Sequence, residues 1–183
     1  MNFTPATSAL LLIDVQERFL GAIPSIAPDG AVGKACRILL AGADLLGVPT
    51  VISEQYPQGL GATLPHLLAA APAAARLAKT HFSAVEDEAL LAALNRLNRS
   101  TVVVAGVEAH VCVLATCADL QARGWRVVIA ADAIDSRQAT HRDLAIHAMR
   151  DLGALVLPVE SILFRWQRQA GVGAFKAISA LVR

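Results

Sequence analysis

Five short apolar runs, at residues 8–13, 48–52, 101–105, 126–130 and 154–157, are rich in Val, Ile and Leu and show no alternation of apolar with polar residues. Runs of this kind form strands buried on both faces, as in a parallel sheet covered by helices. Between them lie stretches with helical spacing, at 32–46, 86–97, 112–123 and 138–152. Three of these stop at Gly47, Gly124 and Gly153, each directly before the next apolar run, where a left-handed C-terminal cap calls for glycine. A further short strand is expected to end at Ala78-Lys79, after an alanine-rich helix end broken by Pro72, which brings the strands to six. The repeated β-α-β pattern predicts an α/β fold with a parallel sheet. A chain of 183 residues with 55% apolar content fits a single domain spanning 1–183 with a sizeable core.

Composition excludes several classes of function. A formal net charge of +1, with 17% charged residues, provides no basic stripe for a phosphate backbone, so no nucleic-acid partner is expected. The stretch 101–118 is the longest that is nearly apolar, and Glu108 and His110 interrupt it, which argues against a membrane span. The first residues lack the positive flank of a signal peptide, so a cytoplasmic protein is expected. Cys36, Cys112 and Cys117 are an odd number of thiols, read as reduced and not as a disulfide framework. No His-x-x-x-His pair or similar spacing is present, so neither a metal nor a cofactor is expected.

In an open parallel sheet, ligands bind beyond the carboxyl ends of the strands, where strand order reverses. The residues that follow the apolar runs therefore matter most: Asp14 to Phe19, Ser53 to Pro57, Lys79 to Ser83, Gly106 to Cys112, and Asp132. Cys112 stands where a strand gives way to a helix, so its sulfur would meet backbone N–H groups that lack intrahelical partners. Half ionisation at neutral pH needs about 2 kcal/mol of preferential stabilisation of the thiolate. A helix N-terminus supplies about 0.3 to 1 kcal/mol, which leaves the rest to a nearby ammonium. Lys79 is the candidate ammonium, and Asp14 could take the thiol proton and pass it to a leaving group. The bland readings are a helix N-cap for Asp14, a solvated strand-end lysine for Lys79 and a small core residue for Cys112. Cys36 and Cys117 lie inside helical runs and are assigned to the core.

Asp14 in Leu-Leu-Ile-Asp-Val-Gln-Glu-Arg-Phe, Lys79 in Lys-Thr-His-Phe-Ser and Cys112 in Gly-Val-Glu-Ala-His-Val-Cys-Val together resemble the isochorismatase-like cysteine hydrolases. The segment Glu54 to Gly61 resembles the isochorismatase domain-containing subgroup. The resemblance spans nearly the whole chain. It implies a Rossmann-like three-layer α/β/α sandwich with a six-stranded parallel sheet in the order 3-2-1-4-5-6. It also implies a cis peptide at Val107-Glu108, oxyanion donors at the backbone N–H groups of Glu108 and Cys112, and catalysis by Asp14, Lys79 and Cys112. Family members are usually homo-oligomers.

The chain departs from family patterns at several points. Ala109 stands where many members have threonine. Ser53-Glu-Gln-Tyr56 replaces the Asp-x-His metal motif of nicotinamidases, and the cysteine is one that siderophore-pathway isochorismatases commonly lack. The resulting expectation is a cofactor-independent hydrolase that cleaves a C–N bond of a small amide or related acyl compound through a thioester. The competing expectation is a catalytically idle scaffold of the same fold that binds partners as an oligomer. Phe19, Glu54, Gln55, Tyr56, Phe82 and His110 are candidate lining of a substrate pocket or, equally, core and loop residues. The stretches 162–168 and 172–182 alternate apolar with basic residues, and a wet Trp166 and Phe175 would favour a partner subunit over packing on the chain's own sheet.

Overall fold

A computed structural model describes residues 3–183. Six strands form one parallel sheet: β1 (Ser8–Ile13), β2 (Thr50–Gln55), β3 (Ala75–Lys79), β4 (Thr101–Val107), β5 (Arg126–Asp135) and β6 (Leu155–Leu157). Their order is β3-β2-β1-β4-β5-β6, so the winding direction reverses between β1 and β4. The helices are α1 (Ala31–Leu45), α2 (Pro57–Leu60), α3 (Pro65–Ala70), α4 (Glu88–Leu97), α5 (Leu114–Ala122), α6 (Ala139–Asp151), α7 (Val159–Trp166) and α8 (Phe175–Leu181).

The apolar runs bury both faces of the sheet because alternate residues enter different cores. Leu10 and Leu12 of β1 join Val103 and Ala105 of β4 in a core shared with α1, α3, α7 and α8. Leu11 and Ile13 join Val102 and Val104 in the opposite core, under α4, α5 and α6. The three-layer expectation holds on both counts, and Gly47, Gly124 and Gly153 all take positive φ at the helix ends.

Several boundaries differ from those expected. β2 runs on to Gln55, β4 to Val107 and β5 to Asp135, since residues beyond the apolar runs still pair with neighbouring strands. Asp132 accordingly lies within β5, and its carboxylate accepts a bond from the Val159 backbone N–H at 2.8 Å at the start of α7. Trp166 is buried, with its indole N–H donating to Ser8 Oγ at 3.1 Å. Phe175 is half-buried against Phe164. The C-terminal helices thus pack on the chain's own sheet and do not wait for a partner.

Candidate active site

Asp14 closes β1 in a left-handed conformation, φ 53°, which aspartate tolerates better than most residues. Its N–H donates to the Ser53 carbonyl at 3.1 Å, and its own carbonyl accepts from Gln16 N at 2.9 Å. Beside it, β4 comes so close that a Cβ on Gly106 would lie 2.0 Å from the Ile13 carbonyl oxygen, so only glycine fits there.

Lys79 ends the edge strand β3, most of which is solvent-accessible, yet its own side chain is fully buried. From two strand spacings away, about 4.8 Å each, a lysine stem can reach the end of β1. Its Nζ lies 2.8 Å from Asp14 Oδ2, with both side chains at 0% exposure. The ammonium also donates to Gln55 Oε1 and to the carbonyls of His81 at 3.1 Å and Phe82 at 3.2 Å. Burial of this pair is tolerable because each charge has a partner and most remaining hydrogen-bonding capacity is used.

Cys112 occupies one turn of π-helix, Ala109–Val113, with α5 beginning only at Leu114. The preceding Val107-Glu108 peptide is cis. The turn is tied by Val111 N and Val113 N, which donate to the Glu108 carbonyl at 3.1 and 3.2 Å. The Cys112 thiol lies within the electrostatic reach of both the Asp14 carboxylate and the Lys79 ammonium, which act on it in opposite directions. Three groups carried by β1, β3 and the turn after β4 therefore meet at the reversal of the sheet.

The thiol is not the resting anion that the helix terminus and Lys79 were expected to create. Burial, and then the Asp14 carboxylate, push Cys112 up to about 12, while Lys79 pulls the other way. The ammonium is largely committed to Asp14, so its field at the sulfur is offset by the adjacent negative charge. Beyond the ion pair, Asp14 Oδ2 accepts no hydrogen bond, which leaves the carboxylate capacity for a proton.

The remaining candidates divide by what they touch. Gln55 bridges two parts of the site, since its Nε2 donates to the Thr80 carbonyl at 2.9 Å while Oε1 receives Lys79. Glu54 Oε1 accepts from Thr63 N at 2.8 Å and Thr63 Oγ1 at 2.7 Å, so it pins a loop. Glu108 points its carboxylate at Arg137, whose N and Nε both lie 3.0 Å from Oε2. His110 Nδ1 shares a 3.0 Å hydrogen bond with Ser136 Oγ, and its ring packs on His141. Tyr56 and Phe82 are largely exposed, at 56% and 61%, whereas Phe19 packs against the core. Phe82 lines a cavity of about 490 Å³ with His81, Glu86 and Asp119, and His110 lines one of about 280 Å³ with Leu114 and Leu144.

Two buried residues lie in segments the sequence singled out but were given no role of their own. Ser53 Oγ donates to Asp14 Oδ1 at 2.7 Å. Gln16 holds the strand end of β2, donating through Nε2 to the carbonyls of Gln55 at 3.0 Å and Gly61 at 2.7 Å, and accepting Gln55 N at 2.8 Å. Gln16 lay inside a motif already singled out, and Ser53 directly follows an apolar run. A polar residue in that register, continuing a central strand, was the available signal. Among the described residues, no group of three or more His, Cys, Asp or Glu could hold a metal, and no helix is long and apolar enough to cross a membrane.

Residues 8–161 match the family model described as the isochorismatase domain. The chain is 39% identical over its whole length to isochorismatase domain-containing protein 1 of Salmo salar, and spans 63% of that relative's length. A solved structure named MAR1 ribonuclease, from Caenorhabditis elegans, superposes with a TM-score of 0.90 at 33% identity, covering 100% of this chain and 92% of that one. The YcaC gene product of Escherichia coli, described as an octameric hydrolase of unknown specificity, shares the fold with a TM-score of 0.88 at 22% identity, covering 100% of this chain and 87% of that one. Shared fold, a match across most of the chain and similarity along its full length agree: this protein belongs to the isochorismatase-like hydrolase family, in the isochorismatase domain-containing subgroup.

Proposed function

We propose that the protein is a cysteine-dependent hydrolase that cleaves a C–N bond of a small amide or related acyl compound. The observation that carries this reading is the buried Asp14–Lys79 ion pair, both of whose charges act on the Cys112 thiol. As Sγ attacks the carbonyl carbon, the thiol proton passes to Asp14, so the nucleophile is generated during the attack and not stored as a thiolate. Negative charge then develops on the carbonyl oxygen, directed at the N–H groups of Glu108 and Cys112, where one oriented donor is worth about 2.7 to 4 kcal/mol. Asp14 returns the proton to the departing amine as the C–N bond breaks and a thioester forms. Water, deprotonated by the same carboxylate, then cleaves the thioester to release the acid and restore the thiol. Lys79 holds Asp14 in place and balances its charge throughout.

The ribonuclease name of the Caenorhabditis elegans structure raises phosphodiester cleavage as a second reading. A net charge of +1 gives little electrostatic hold on a phosphate backbone. Lys79 is buried, with its donors committed to Asp14, Gln55 and backbone carbonyls. Both facts favour a small uncharged substrate over RNA. The reading also places the protein, with its free thiols, in the reducing cytoplasm and makes it a homo-oligomer. Exposed Tyr56, Phe82 and Leu144 support assembly, as does the octameric state named for Escherichia coli YcaC.

The test is a panel of small amides and nitriles assayed by ammonia release, with an RNA oligonucleotide as a further substrate. Wild-type protein should release ammonia from at least one amide and leave the RNA intact, and Cys112→Ala should fold normally and show no turnover. Ammonia release undiminished in Cys112→Ala would refute the nucleophile. Absence of release from the whole panel would favour a binding scaffold.

A further inference from the structure

We propose that Ser53 is a positioning residue that acts through Asp14, an inference that rests on the hydrolase reading above. Ser53 is fully buried on the central strand β2, and its hydroxyl donates to Asp14 Oδ1 at 2.7 Å. Lys79 holds the other carboxylate oxygen at 2.8 Å. A carboxylate fixed at both oxygens has its torsion set, so it faces the Cys112 side of the site in one orientation. The backbone reinforces this, since the Asp14 N–H donates to the Ser53 carbonyl, so one residue holds Asp14 by main chain and side chain together.

The charged and titratable groups that face Asp14 are Lys79 from β3 and Cys112 from the π-turn. Neither can replace the Ser53 hydroxyl: Lys79 already serves Oδ2, and the thiol is the proton donor of the reaction. Loss of the hydroxyl would leave Oδ1 buried and short of a partner, free to rotate toward other donors. Such a change slows proton removal from Cys112 without touching any substrate contact.

Alkylation of Cys112 by iodoacetamide reads this directly, because the sulfur displaces iodide from the CH2 carbon while its proton leaves to Asp14, and no substrate is required. Labelling at each cysteine is followed by peptide mass mapping at pH 7.5. In wild-type protein Cys112 should label well ahead of Cys36 and Cys117. Ser53→Ala should slow Cys112 by about tenfold, the factor expected for one hydrogen bond to a charged group. Ser53→Thr, which keeps a hydroxyl, should label like wild type, and Ser53→Val, with the same shape, like Ser53→Ala. In an Asp14→Asn background, Ser53→Ala should change the rate less than about twofold, because the base is already gone. Equal rates in the Thr and Val variants, or an undiminished Ser53→Ala effect in Asp14→Asn, would overturn the role of Ser53. Equally slow labelling of all three cysteines in wild-type protein would instead strike the hydrolase reading itself.

Discussion

Cys112 can act as a nucleophile only if its proton has somewhere to go, and the site offers the buried Asp14 carboxylate and not a standing positive field. Cys112, Cys36 and Cys117 are each pushed up to about 12, in every case first by burial. The unfolded thiols titrate near their ordinary value of about 8.5. Folding therefore favours the protonated form, and the associated stability is present below that pH and is lost as pH rises toward the folded value. Urea midpoints should stay flat from pH 7 to about 8.5 and then fall steadily. Cys36→Ala, which removes one of the two fully buried thiols, should make the decline shallower. A midpoint independent of pH over this range, or an unchanged slope in the variant, would show that the thiols are not held neutral by the fold.

At the scale of elements, the site depends on the tight passage of β4 past the end of β1. Gly106 has φ +120°, and any side chain there would collide with the Ile13 backbone one residue before Asp14. Gly106→Ala should cost about 3 kcal/mol or more by urea denaturation and should slow Cys112 alkylation as well. Wild-type stability in that variant would mean that the two strands can separate without loss. The same region shows what the sequence made legible. Apolar runs and glycine stops identify the strands, because burial on both faces leaves a compositional mark that needs no knowledge of partners. Asp14 and Lys79 stand out because each breaks an apolar pattern at a strand end, and Cys112 because it stands where a strand gives way to a helix. Strand order and the cis peptide rested on the family resemblance and not on periodicity. Ser53 and Gln16 were given no role because that role depends on which groups face them from segments 39 or more residues away in sequence, the Asp14 carboxylate for Ser53 and the Gly61 carbonyl for Gln16. The π-turn that carries Cys112 was hidden because its residues read equally well as the first turn of α5.

For the molecule as a whole, Trp166 corrected the sequence argument for assembly, since its side chain is inside the protomer. The most exposed of the large apolar side chains are Tyr56 and Phe82 near the candidate site and Leu144 on α6 beside the smaller cavity. Sedimentation velocity should give a mass that is a multiple of the 19.2 kDa chain, and Phe82→Glu or Leu144→Glu should reduce it. A monomer at micromolar concentration would leave those side chains to contact substrate or solvent only.

The account as a whole turns on whether a covalent bond forms at one sulfur. The direct measurement is acid quenching during turnover of an amide that releases ammonia, followed by peptide mapping of the trapped protein. The account predicts an acyl mass increment on the peptide containing Cys112, absent from those containing Cys36 and Cys117, which disappears as substrate is exhausted. Steady turnover with no increment at Cys112, and with undiminished rate in Cys112→Ala, would contradict it.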